Sequence, residues 1–267
     1  MPEGDSIAKL ANLLADELVG RRLVEARREG EAIAAFRGRE VTDVCAYGKH
    51  MFTVVGGLLL RTHLGMRGDW HRYRRGERFA KPAWQASALL QTDTLAYVCF
   101  AAKEVELMEV EGVRFRALLA RLGPDVLDSA FDPAHAAARA RSLPAATPMC
   151  DVVLHQGVAA GIGNVYKNEI LFAGELHPAR PLGTVDDRAL VETFARAADW
   201  MRANVPPGPR QTRAPRPGGG ATLWVYGRLG QPCHLCATPI AYTRMGHLNR
   251  STYWCPRCQP ETGLAAR

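Results

Sequence analysis

Four of the seven cysteines are spaced for metal chemistry. Cys233-His-Leu-Cys236 and Cys255-Pro-Arg-Cys258 are two CxxC knuckles with eighteen residues between them. Each knuckle turns two sulfurs toward one point, and two knuckles at this spacing form a tetrahedral four-thiolate zinc site. Such a closed site is structural. Disulfides or a redox CxxC are the competing uses, and they fit poorly with a start that carries Glu3, Asp5, Asp16 and Glu17 and lacks a secretory signal. Cys45, Cys99 and Cys150 are isolated and read as small buried apolar residues.

Two further patterns point to an anionic partner. Between Trp200 and Cys258 there is no Asp or Glu but eight arginines, at 202, 210, 213, 216, 228, 244, 250 and 257. A like-sign block of this size repels itself unless it faces an anion or counter-charges elsewhere in the fold. A solvated Arg-rich surface is the competing reading, and nucleic acid is the leading partner. The second pattern is Gly161-Ile162-Gly163-Asn164. Two glycines one residue apart make a tight turn between helices and open the second helix with its positive end, a ready phosphate site. No strand precedes the turn, so it is not a dinucleotide-binding fingerprint.

These groups need elements to hold them. The chain has 267 residues, 34 Lys+Arg against 27 Asp+Glu, and 47% hydrophobic residues, the make-up of an ordinary globular protein with room for two domains. No apolar run approaches the roughly 18 residues of a membrane helix, so a cytoplasmic protein is expected. Ile7, Leu10, Leu14 and Leu18 recur at helical spacing ahead of Gly20, which predicts a helix over Asp5–Val19. From Arg22 to about Glu111 short β-branched runs follow, at Glu40–Cys45, Met51–Val55, Leu58–His63, Ala88–Leu90 and Leu95–Phe100, the pattern of a β-sandwich or barrel. Beyond residue 125 the texture is Ala-rich and helical, with helices predicted at Pro133–Arg141, Pro148–Gln156, Asn164–Ala173 and Asp186–Ala203. A Pro/Gly/Arg connector at 205–220 leads to the zinc knuckles. Between them, Ile240–Thr243 and Ser251–Trp254 flank a Gly246–Asn249 turn and predict a hairpin.

Five motifs occur in a telling order: Met1-Pro2-Glu3-Gly4, Gly48-Lys49-His50-Met51-Phe52, Gly161-Ile-Gly-Asn-Val-Tyr166, Val225-Tyr-Gly-Arg-Leu-Gly-Gln-Pro-Cys233, and the knuckles. With them the chain resembles the formamidopyrimidine-DNA glycosylase/endonuclease VIII family from residue 2 to residue 258. The resemblance implies an α+β fold of two domains, an N-terminal β-sandwich with an N-terminal helix and a helical helix-two-turn-helix domain carrying a zinc β-hairpin finger. The boundaries expected are 1–125, 126–222 and 223–267. It further implies base excision coupled to strand cleavage on damaged DNA, by a monomer with one structural Zn2+.

Under that resemblance Pro2, exposed once Met1 is trimmed, is the nucleophile. An α-amino group with a pKa near 7.7–8.0 leaves a useful unprotonated fraction at neutral pH. Glu3 is the general acid/base and Lys49 the cation near the sugar ring oxygen and phosphate. Asn164 and Arg250 hold backbone phosphates, the latter five residues before Cys255. Met66, in His63-Leu-Gly-Met66, fills the hole left by nucleotide extrusion, with core packing as its competing reading. Two departures bear on substrate. Asp5-Ser6 stands where the family often has a second Glu, and Phe100-Ala-Ala-Lys-Glu-Val-Glu-Leu107 lacks the wedge of the purine-directed branch. The first leaves the second carboxylate's role open, with Asp5 as a stand-in. The missing wedge and the Pro2-Glu3-Gly4 start favour the endonuclease VIII branch and oxidised pyrimidines, whereas Leu64-Gly65-Met66 looks more like the oxidised-purine branch. A DNA-binding protein that keeps the scaffold without its chemistry is the rival of another class.

Overall fold

The computed structural model describes residues 2–214 and 222–261. The chain divides into two compact units, Met1–Ala120 and Arg121–Arg267. The first opens with α1 (Gly4–Leu18), which buries Ile7, Ala11, Leu14 and Leu18. The helix stops where Val19 turns extended and Gly20 takes a φ of 80°.

Nine strands follow: β1 (Glu25–Arg28), β2 (Glu31–Ala32), β3 (Val41–Tyr47), β4 (His50–Val55), β5 (Leu58–His63), β6 (Asp69–Arg74), β7 (Ala86–Gln91), β8 (Leu95–Phe100) and β9 (Glu104–Glu109). They form two antiparallel sheets, ordered β3-β4-β5-β9 and β2-β1-β7-β8-β6. Both sheets and α1 share one core, in which Ile7, Leu14 and Leu18 meet Val44, Met51, Leu60, Leu90 and Tyr97. Charged β6 and β9 were not among the strands expected from sequence. Each has only two buried positions, Trp70 and Tyr73 in one and Val105 and Met108 in the other. Cys45 corrects an expectation: β3 is an edge strand, and Cys45 points to solvent beside buried Val44.

The helix α2 (Val113–Arg121) follows β9 and sets Phe115 edge-on against Phe52. The second unit contains α3 (Pro133–Ala140), α4 (Met149–Val152), α5 (Asn164–Ala173) and α6 (Asp187–Ala203), then a hairpin of β10 (Ala241–Met245) and β11 (Arg250–Trp254). Asp132 and Asp186 cap α3 and α6 by accepting from Ala134 N and Ala189 N. The expected helix over Pro148–Gln156 is only the single turn α4. It gives way to turns because the Gln156 amide serves the glycine turn instead, donating to Leu154 O and Ile162 O and accepting from Gly161 N. Gly161 itself has a φ of 106°, a conformation that side chains rarely adopt.

Candidate active site and metal centre

In the first unit, strand register gathers the reactive groups. A parallel bridge joins Val19 to Val41, which fixes the C-terminal end of α1 at the start of β3. The helix packs along β3 and β4. Fifteen helical residues span about 22 Å and seven strand residues about 23 Å, so Pro2 and Glu3 lie toward the Tyr47 end. There, Gly48 and Lys49 form the two-residue turn between paired Tyr47 and His50, and Gly48 takes the positive φ of 57° that the tight turn requires. Glu3 is the N-cap residue of α1 but does not cap the helix with its side chain, and it is fully buried beside half-buried Pro2. Buried Asp5 follows in the first turn, so two carboxylates stand at the positive helix end.

The row of residues behind Lys49 was not anticipated. His50 pairs with His63, and His63 with Glu104, across β4, β5 and β9. Arg61, almost wholly buried, binds Glu104 at 2.6 Å, Glu106 at 3.0 Å and His50 Nδ1 at 2.8 Å. Burial, then the charges of His63 and Arg61, lowers the His50 pKa to about 3, with Lys49 contributing. His50 is therefore neutral, and its Nδ1 accepts from Arg61. Burial would raise Glu104, but its bonds to Arg61 and Lys103 win and hold it at about 2. The sequence signal was an arginine directly after the apolar run Leu58–Leu60, within a predicted strand. Met66, in the 64–68 loop just past His63, is 67% exposed and thus not core.

In the second unit the zinc knuckles come together. The four sulfurs lie within 4.8 Å of one another, with Cys236 Sγ 3.4 Å from Cys255 Sγ and 3.5 Å from Cys258 Sγ. Tetrahedral Zn–S bonds of about 2.3 Å put sulfurs about 3.8 Å apart, so the cluster fits one zinc ion. Backbone N–H groups of Leu235 and Cys258 donate to Cys233 and Cys255 sulfurs, as thiolate ligands require. Sequence, spacing and geometry agree on one structural zinc held by Cys233, Cys236, Cys255 and Cys258.

The helix α5 binds this module with buried polar groups. Asn164 Nδ2 donates to Ser251 O at 2.9 Å, immediately after Arg250, the first residue of β11. Asn164 and the Arg250 segment are thus brought together. Lys167 donates to Ser251 O and Thr252 Oγ1, and Asn168 accepts from Tyr253 N. Glu169 accepts from the N–H groups of Trp224, Val225 and Tyr226 and from the Thr212 hydroxyl. Gln259 spans Cys255 N and Leu176 O. At the far tip, Asp151 accepts from His247 N. Lys167, Asn168 and Glu169 had no role assigned from sequence; four consecutive polar or bulky side chains opening a buried helix were the available signal.

The acid-free arginine segment is partly structural, which narrows its reading as a phosphate track. Arg202 donates to Asp128 O, Arg228 to Trp224 O and Pro232 O, and Arg244 to Asn249 O. Arg210 and Arg213 lie over the rings of Tyr166 and Trp224. Loop carbonyls without ladder partners need donors, and a guanidinium supplies several in a fixed fork. Arg216, with the rest of 215–220 in the 205–220 connector, lies outside the described residues.

A β-sandwich led by an N-terminal helix, followed by a helical unit with a four-cysteine hairpin finger, defines a DNA-glycosylase class of scaffold. The chain matches the Formamidopyrimidine-DNA glycosylase N-terminal domain over residues 1–115, the Formamidopyrimidine-DNA glycosylase H2TH domain over 122–214, and the Zinc finger found in FPG and IleRS over 230–260. It is 36% identical to Endonuclease 8 2 of Mycobacterium tuberculosis, covering 97% of this chain and 100% of that one. It is 35% identical to the DNA-(apurinic or apyrimidinic site) lyase Nei2 of Mycolicibacterium smegmatis, over 97% and 99% of the two chains. Among solved structures, Lactococcus lactis Fpg in complex with abasic-site DNA superposes with a TM-score of 0.81 at 19% identity, over 97% of this chain and 100% of that one. The chain belongs to the formamidopyrimidine-DNA glycosylase/endonuclease VIII family. Among the described residues no helix is long and apolar enough to cross a membrane.

Proposed function

We propose that Pro2 is the nucleophile of a bifunctional DNA glycosylase and abasic-site lyase that repairs oxidised bases. The observation that carries the reading is the common end of the sandwich shared by Pro2, Glu3 and the Lys49 turn. With Met1 removed, the Pro2 nitrogen attacks C1′ of the damaged nucleotide. The bond from C1′ to the base breaks and the base leaves with its electron pair, taking up a proton from water. Glu3 accepts the proton that the Pro2 nitrogen loses and hands it to O4′ as the nitrogen lone pair opens the C1′–O4′ bond. The resulting iminium draws electron density from C2′, whose proton is lost. The C3′–O bond then breaks with release of the 3′ phosphate, and the C5′–O bond follows. Water finally cleaves the iminium and regenerates the amine. Lys49 balances the negative charge at O4′ and the adjoining phosphate.

Asn164 and Arg250 grip backbone phosphate beside the extruded nucleotide, and the zinc stiffens the hairpin that aims Arg250. The Ser251 carbonyl uses one hydrogen of the Asn164 amide and leaves the other for phosphate. Exposed Met66 enters the vacated space in the stack. The working division remains 1–125 for the catalytic sandwich, 126–222 for the helical DNA-binding part and 223–267 for the finger. The protein acts as a cytoplasmic monomer.

Oxidised pyrimidines are the preferred substrates in this reading, supported by the endonuclease 8 relatives and by the short Ala101–Lys103 link between β8 and β9. The Leu64-Gly65-Met66 loop supports a second reading with oxidised purines. Borohydride trapping on abasic DNA, followed by excision from thymine glycol, dihydrouracil and 8-oxoguanine duplexes, tests both levels. A trapped adduct lost in Pro2→Gly is expected. Tight DNA binding by the wild type with no adduct would leave only a DNA-binding scaffold.

A further inference from the structure

The end of the sandwich that carries Lys49 and Met66 also presents an unused aromatic side chain. Trp84 is 82% exposed, the most exposed large hydrophobic side chain among the described residues. No aromatic ring or cation packs on it among those residues. Its position follows from register. Asp69, Phe100 and Ala86 pair across β6, β8 and β7, so the segments just outside them emerge together. Trp84 comes two residues before Ala86, and Met66 three before Asp69.

These segments are laced into one surface. Ala101 N donates to Gln85 O and Ala102 N to Ser87 Oγ, which ties the Trp84 turn to the β8–β9 link. Lys103 N donates to His63 O, and a Cβ on Gly68 would clash with the Leu64 backbone and come within 3.0 Å of Ala102 Cα. The link at 101–103 is therefore flanked by Trp84 on one side and the Met66 loop on the other. Exposed Arg67 and Lys81, whose Nζ lies 5.4 Å from the Phe100 ring, add positive charge. The nearby acids Asp69 and Glu104 are taken up by His71 and by Arg61 with Lys103.

An exposed indole is costly to leave in water and is held here on a short, tethered turn rather than a free loop. Cations around an apolar ring match nucleic acid, because phosphates meet the charges and every base offers a face for stacking. We infer that Trp84 stacks on a nucleobase of the bound duplex that loses its neighbour when the damaged nucleotide is extruded. Met66 and Trp84 then act as a pair, one flexible and one flat, on two sides of the same three-residue link. The inference rests on the glycosylase reading above and assigns that site a second base-contacting side chain.

The test uses full-length zinc-loaded protein and two duplexes, one with a tetrahydrofuran abasic analogue and one undamaged. Trp84→Ala is expected to weaken binding to the analogue duplex about tenfold while leaving the undamaged duplex and the salt dependence unchanged. Trp84→Phe keeps a stacking face and is expected to retain most of the affinity. Thermal unfolding should hardly move, since Trp84 is already 82% exposed. Unchanged affinity of Trp84→Ala for both duplexes overturns the inference, and so does an equal loss on both, which would mark a backbone contact. Failure of wild-type protein to form a borohydride adduct on abasic DNA would instead remove the glycosylase reading, and this inference with it.

Discussion

The two units solve the problem of holding polar chemistry in opposite ways. In the sandwich, Pro2 and Lys49 sit at the start of α1 and at a hairpin turn, outside the apolar cluster shared by α1 and the two sheets. They can be exchanged without disturbing that cluster, whereas Glu3 and Arg61 are buried. In the second unit, α5 sinks Asn164, Lys167, Asn168 and Glu169 against the finger, and most bonds there join a buried side chain to main chain. There, binding geometry and stability are the same bonds. The lesson is that catalysis and grip should respond differently to mutation: the first by losing activity alone, the second by losing fold and affinity together.

The largest expected break comes from removing zinc. Structural zinc sites of this kind contribute about 10–16 kcal/mol of apparent binding free energy at neutral pH. Chelation or Cys258→Ala should abolish DNA binding and hydrogen-exchange protection in β10 and β11, while β3 to β5 stay protected. Loss of protection in the sandwich as well would erase the distinction between the units.

Next in size is Glu169→Ala. It leaves three buried N–H donors and the Thr212 hydroxyl without their acceptor, at a cost of at least about 3 kcal/mol. Denaturant unfolding measures it, and a parallel fall in DNA affinity is expected. Pro2→Gly is the contrasting case, with unfolding shifted by less than about 0.5 kcal/mol and trapping lost. If Glu169→Ala is as stable as wild type, the polar weld is not what holds the finger.

A third prediction concerns pH. The folded His50 ring stays neutral down to about pH 3, whereas an unfolded histidine binds a proton below about 6.5. The unfolded state takes up that proton as pH falls, so stability is full above 6.5 and declines between 6.5 and about 3 by about 1.4 kcal/mol per unit at most. His50→Gln keeps an acceptor for Arg61 and should flatten the slope. The smallest effect is Asp151→Ala, which releases His247 N at the finger tip for about 1 kcal/mol, seen as faster amide exchange at 246–249.

How much of this was legible beforehand follows the same division. The finger could be read because thiolate spacing is a local rule, and β8 because its run Leu95–Phe100 is apolar throughout. The single-turn α4 was not, since the Gln156 amide that diverts the chain acts on a turn five residues away. Nor were Arg61 and Glu169. Each is buried only because partners distant in sequence, Glu104 and Glu106 for one and residues 224–226 for the other, arrive with the fold. The arginine-rich segment misled in part for the same reason. Its charge was visible, but the carbonyls that claim Arg202, Arg228 and Arg244 were not.

The central claim is that the secondary amine of Pro2 does the chemistry. It is tested most directly by trapping wild-type protein on abasic DNA with borohydride, digesting the adduct and locating the added deoxyribose by mass spectrometry. The account predicts the mass on the N-terminal peptide, at Pro2, with Met1 absent. An adduct carried by Lys49 or any other lysine would contradict it.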